Sequence, residues 1–130
     1  MKILVGYDYS TVTQDVLALA KQQAQAFKAE VHLLRSLEQN PELQRNTIQQ
    51  AEQNLDQVKG EFVTLGLACD THVVISGLSA GEDIVQFAEQ NSIDLIVIGV
   101  RRRSKVGKLL FGSNAQLIIL TAPCPVLTVK

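Results

Sequence analysis

The sequence predicts an α/β domain, a mostly parallel five-stranded sheet with helices on both faces. Three observations carry this expectation. Short apolar runs alternate with segments whose apolar residues recur at three- and four-residue spacings. One run, IDLIVIGV, is uninterrupted and so reads as a strand buried on both faces. The length of 130 residues suffices for one core and is too short for two ordinary domains. Strands alternating with helices imply right-handed crossovers, because each helix must bury its stripe on the sheet.

Ile3-Leu4-Val5 opens the chain as a strand, and Val12, Val16, Leu19, Ala20, Ala24 and Phe27 mark the helix that follows. Ser10 or Thr11 can cap that helix, and Asp15 favours the positive end of its dipole. Val31 to Leu34 is the second strand. Asn40-Pro41 interrupts the chain, and Ile48, Ala51, Leu55, Val58, Phe62 and Leu65 then form a second helical stripe stopped at Gly66. Thr71 to Ile75 reads as the third strand, ended by Ser76-Gly77, and Ser79 or Ala80 begins a third helix carrying Ile84, Val85, Phe87 and Ala88. IDLIVIGV, closed by Gly99, is the fourth strand. A short helix from about Gly112 to Leu120 and a strand from Pro125 to Val129 complete a single domain over residues 1–130.

Composition excludes several functions. The formal net charge of -1 selects no partner. No apolar run approaches the roughly 18 residues that cross a bilayer, and Asp8 interrupts the start too early for a secretory segment, so a cytoplasmic protein without membrane insertion is expected. Cys69 and Cys124 show no CxxC spacing and are expected to be neither disulfide nor redox groups. His32 and His72 could join a metal site only by converging in space. They are read as packed histidines, and no metal ligand is expected among the side chains.

The most unusual stretch is GVRRRSKVGKLLFGS, which crowds Arg101, Arg102, Arg103, Lys105 and Lys108 into one loop between Gly99 and Ser113. A basic loop that leaves a buried strand and runs into a helix start offers cations, backbone amides and a hydroxyl, the groups a phosphate requires. Gly99 and Gly112 would let the backbone approach a ligand closely or take positive φ. The competing reading is a solvated basic connector with Ser113 as a plain helix cap. Gly107-Lys108 lacks the preceding glycine and following Ser or Thr of a P-loop, and no GxGxxG follows the first strand. Asp8, at the end of the first strand, could accept from a ribose hydroxyl or an adenine amino group, or simply cap the helix. A phosphoacceptor site would need a second acid where the chain has Ser76-Gly77. In such folds ligands bind beyond the carboxyl ends of the strands, where the strand order reverses.

With KILVGYDYS and IDLIVIGV beside GVRRRSKVGKLLFGSNAQLIILTAPCPVLTVK, the chain closely resembles the universal stress protein family over essentially its whole length. The family pattern of glycine, two residues, glycine, nine residues, then glycine with Ser or Thr falls in register on Gly99, Gly112 and Ser113. Arg102 stands in the place of the second glycine and could supply a cation there. The resemblance implies strand order 3-2-1-4-5 in an adenine nucleotide alpha hydrolase-like fold. It implies a binding site for ATP or another adenine nucleotide, with Mg, in which the base meets Gly6, Tyr7, Asp8 and Ser36. Ile98 and Gly99 would flank the ribose or base, and the phosphates would meet Arg102, Gly112, Ser113 and Asn114.

The resemblance further implies a homodimer through the last strand, Val126, Leu127, Thr128 and Val129, and a stress-response role exerted through protein partners. No paired base and nucleophile stands near the crevice, so no catalytic residue is assigned. Slow hydrolysis or self-phosphorylation, with Ser113 involved, is a family possibility. The alternative function is a nucleotide-free homodimeric interaction protein of the same fold, for which Arg102 is the best support. Nucleic-acid binding would rest on the arginine cluster alone, without a second basic face or exposed aromatics for stacking.

Overall fold

The computed structural model describes residues 1–8, 12–42, 45–100 and 112–130. Strands β1 (Lys2–Gly6), β2 (Glu30–Ser36), β3 (Cys69–Val74), β4 (Leu95–Gly99) and β5 (Val126–Val129) alternate with helices α1 (Thr13–Phe27), α2 (Arg45–Thr64), α3 (Ala80–Gln90) and α4 (Ser113–Thr121). The sheet is parallel throughout, in the order β3-β2-β1-β4-β5. Fold class and strand order are those the sequence led us to expect. Ser10 and Thr11, expected to cap α1, and the basic residues Arg101, Arg102, Arg103, Lys105 and Lys108 lie outside the described residues.

Alternation along the strands divides the interior into two layers. Ile3, Val5, Val31, Leu33 and Val97 face α1 and α2, where Val16, Leu17, Leu55 and the fully buried Phe62 meet them. Leu4, Leu34, Ile96 and Ile98 face α3 and α4, against Ile84, Val85, Ala88 and Ile118. β4 is buried on both faces from Leu95 to Ile98, which is why its sequence shows no polar alternation. Val12 occupies the N-cap position of α1 without a side-chain cap.

Helix ends follow local chemistry in most places. Gly66 takes φ +79 just after α2, as expected of a left-handed stop. Ser79 caps α3 in a reciprocal capping box with Glu82. α1 instead ends on Lys28 in the left-handed region, with its amide donating to Ala24. Phe27 and Leu65 of the expected stripes are exposed, at 55% and 41%, Phe27 as the last residue of α1 and Leu65 just past the end of α2. β3 begins at Cys69, two residues before the expected Thr71, because parallel pairing with β2 runs from Val31↔Cys69 onward.

Candidate functional site

The two neighbouring crossovers at β1 and β4 leave opposite faces of the sheet, α1 on one side and α4 on the other, and open a crevice beyond the carboxyl ends of the strands. A cavity of about 130 Å³ lies there, lined from β1 and its exit by Gly6, Tyr7 and Asp8, from β2 by Leu34, Arg35 and Ser36, and from β4 by Ile98 and Gly99. Ala80, Ile84, Asn114, Ala115 and Ile118 close it from α3 and α4. Ser36, Ala80 and Asn114 also line an adjoining polar cavity of about 430 Å³ over the start of α3, which Glu38, Gln39 and Ser79 border. The crevice is thus apolar inside and polar at its mouth, the usual build of a small-molecule site.

Seven of the ten expected site residues, Gly6, Tyr7, Asp8, Ser36, Ile98, Gly99 and Asn114, converge on the inner cavity. Gly112 and Ser113 are exposed at the start of α4 and do not line it, and Arg102 lies outside the described residues. The two glycines read as ligand-approach positions differ in role, and neither has positive φ. A Cβ on Gly99 would stand 2.5 Å from Val12 Cγ2, so this glycine admits the start of α1 against β4. Gly112 is extended, with φ -63 and ψ 156, and a Cβ there would meet nothing within 4 Å. Gly112 occupies the N-cap of α4, and among the described residues no side-chain cap hydrogen bond is made there.

Several expected ligand groups are already engaged with protein. The Tyr7 amide donates to the Leu34 carbonyl at 2.9 Å. The Thr13 hydroxyl donates to the Asp8 carbonyl and lies 3.3 Å from its Oδ1, so Thr13 ties Asp8 to the start of α1. Ser36 donates to Asp83 Oδ2 at 2.6 Å, and Ser76 donates to Asp83 Oδ1 at 2.5 Å. The Asp83 carboxylate, 3% exposed, therefore bridges the ends of β2 and β3 from the first turn of α3. Asn114 Oδ1 accepts from the Gly81 amide at 2.9 Å, stitching the start of α4 to that of α3.

Sequence reasoning missed Asp83, Arg35 and Thr13. Asp83 reads in sequence as an ordinary first-turn acid. Arg35 was signalled only by a charge at the end of an apolar run, and it is the one cationic side chain lining the inner cavity among the described residues.

The sequence profile described as the Universal stress protein family matches residues 1–130. The chain belongs to the universal stress protein family. A curated relative from Thermus aquaticus, named "Universal stress protein in QAH/OAS sulfhydrylase 3'region", is 32% identical, covering 98% of this chain and 97% of its own. Among solved structures, a universal stress protein from Archaeoglobus fulgidus superposes with a TM-score of 0.85 at 30% identity, covering 100% of this chain and 93% of that one. A structure of the universal stress protein from the same organism in complex with dAMP gives 0.82 at 29% identity, covering 100% and 98%. The strand order is that of the expected fold, and the crevice lies at its reversal between β1 and β4. No described helix is long and apolar enough to cross a membrane.

Proposed function

We propose that this universal stress protein binds an adenine nucleotide in the crevice between β1 and β4 and that occupancy biases its association with protein partners in a cytoplasmic stress response. The observation that carries the reading is the apolar cavity at the strand-order reversal, beside the start of α4, which has no side-chain cap among the described residues. Its volume of about 130 Å³ is below the range of roughly 300–1,000 Å³ for whole-ligand pockets, so it would hold the base while ribose and phosphates extend outward. Gly6, Ile84 and Ile98 offer apolar walls to the base, and Asp8 and Arg35 polar edges. The phosphates would follow α4, whose first-turn amides and dipole favour negative charge at Gly112, Ser113 and Asn114, with Arg102 as a cation. The dAMP complex of the Archaeoglobus fulgidus protein supports an adenine nucleotide as ligand. ATP with Mg is the fuller form of the proposal, and no catalytic residue is assigned.

The test is calorimetric titration of nucleotide-stripped protein with dAMP, AMP and Mg-ATP. Gly112→Ala should keep its fold, since the new methyl enters open space, and should lose affinity for phosphate-bearing ligands at least tenfold. A stronger signal in Arg102→Gly would mean that the arginine obstructs the phosphates, and a weaker one that it grips them. Absence of heat and of thermal stabilisation at millimolar nucleotide would favour the nucleotide-free interaction protein. We further propose a two-fold dimer through Val126, Leu127, Thr128 and Val129, because among the described residues β5 pairs only with β4 and forms one edge of the sheet.

A further inference from the structure

Along β2 and edge strand β3, two histidines and two carboxylates gather on one face. Glu30 and His32 alternate along β2, and Asp70 and His72 along β3, so each pair projects to one side. The parallel register sets His32 beside Asp70 and Leu34 beside His72. That face belongs to α3, whose Phe87 covers both imidazoles at centroid distances of 5.7 and 4.6 Å. His32 and His72, 40 residues apart in sequence, lie 3.0 Å apart from Nδ1 to Nε2. They meet the one condition, convergence in space, on which the sequence made a metal site depend.

Three details distinguish this cluster from simple packing. His32 is 8% exposed, and its Nε2 is buried without a hydrogen-bond partner. A native interior seldom leaves such an atom unsatisfied. Nε2 faces Glu30 Oε2 at 3.5 Å, too long for a good hydrogen bond. It is close to the edge of a tetrahedron about an ion holding nitrogen and oxygen at about 2.0–2.2 Å, which works out at about 3.4 Å. Asp70 supplies a third donor: one ligand atom each from Glu30, His32 and Asp70 lie within 4.8 Å of one another.

We propose that Glu30, His32 and Asp70 form a binding site for a divalent first-row transition ion of the zinc class, with His72 as the positioning residue behind His32. One imidazole and two carboxylates suit such an ion in donor type, and the two carboxylates balance its charge. When His32 Nδ1–H donates to His72 Nε2, the tautomer is fixed and the Nε2 lone pair is left facing Glu30, with Asp70 close by. An acceptor aimed at acceptors is stabilised by a cation between them. Asp70 is exposed and Glu30 half-buried, so the ion has an approach from solvent, and a water completes the fourth position. The bound ion would pin edge strand β3 to β2.

The test uses the full chain, stripped of metal and free of nucleotide. Titration with Zn²⁺ by calorimetry should show one ion per chain, and Co²⁺ should develop the visible absorption of a low-coordinate, oxygen- and nitrogen-bound ion. Asp70→Asn and Glu30→Gln remove exposed and half-exposed charges, and their metal-free melting curves report whether the fold is kept. Each should weaken Zn²⁺ binding at least tenfold. His72→Phe should weaken it by about 10- to 100-fold while leaving the Co²⁺ spectrum in kind, as loss of a supporting partner does. The proposal is overturned by absence of saturable binding, by affinity unchanged in Asp70→Asn and Glu30→Gln, or by a thiolate charge-transfer band that places the ion on a cysteine.

Discussion

Gly99 is the position where sequence and structure assign different physical roles, and Gly99→Ala separates them. An added Cβ would stand 2.5 Å from Val12 Cγ2 and 3.2 Å from Val16 Cγ2. Carbon atoms rest at about 3.5–4.0 Å, so the Val12 methyl must retreat by about 1 Å. Overpacking of this kind costs about 1–3 kcal/mol. Unfolding entropy of about 2.1 cal/mol/K per residue makes each kcal/mol about 4 °C for a chain of this length, so Tm should fall by about 4–11 °C. The obstacle is a side chain, which gives the reasoning a sharper check. Val12→Ala removes both methyls, including the offending one, at a cost of its own that the single variant measures. The double variant should then be more stable than the sum of the two losses by at least about 1 kcal/mol. Thermal and urea denaturation of the four proteins closes the cycle. Strict additivity, or a Gly99→Ala protein as stable as the parent, would refute the packing role and return Gly99 to the ligand.

Three further expectations follow from described contacts. Pro125 and Val129 carbonyls accept from Ile96 and Val100, so by the alternation of the strand Val126 and Thr128 turn their backbone groups to the free edge. Thr128→Pro should therefore spare the β4–β5 ladder and convert a dimer to a monomer by light scattering, and a dimer that survives would exclude backbone pairing at β5. Asp83→Ala strands the Ser36 and Ser76 hydroxyls and should cost about 3 kcal/mol in urea denaturation, with Asp83→Asn milder; a loss below about 1 kcal/mol would show the bridge to be unimportant. The His72 pKa is held below its ordinary 6.5 by burial first and by His32 second, with Asp70 opposing. The unfolded chain then binds the extra proton, so metal-free stability should fall as pH drops below 6.5, and His72→Phe should flatten that slope.

What the sequence made legible was mostly local. The uninterrupted Leu95–Gly99 run, the Ser79 capping signal and the Gly66 stop each rest on neighbours within a few residues, and each stands in the structure as expected. The strand order came through the family resemblance, since periodicity alone does not order parallel strands. The features that escaped are long-range. Asp83 is buried because the ends of β2 and β3 meet over α3, with Ser36 47 residues away. The histidine pair forms because two strands share a register. Lys28 and Ser92 adopt left-handed backbone without glycine, so composition gave no notice of these turns. Gly99 was legible as a position needing glycine, but the neighbour imposing that need is Val12, on another element.

The contact between Asn114 and Gly81 means that α3 does not own its cap. Ser79 serves the amide of Glu82, while the amide of Gly81 is served from another helix, 33 residues along the chain. A shift of α4 along its axis would therefore release a single amide at the head of α3. Hydrogen–deuterium exchange at Gly81 would then register the position of α4.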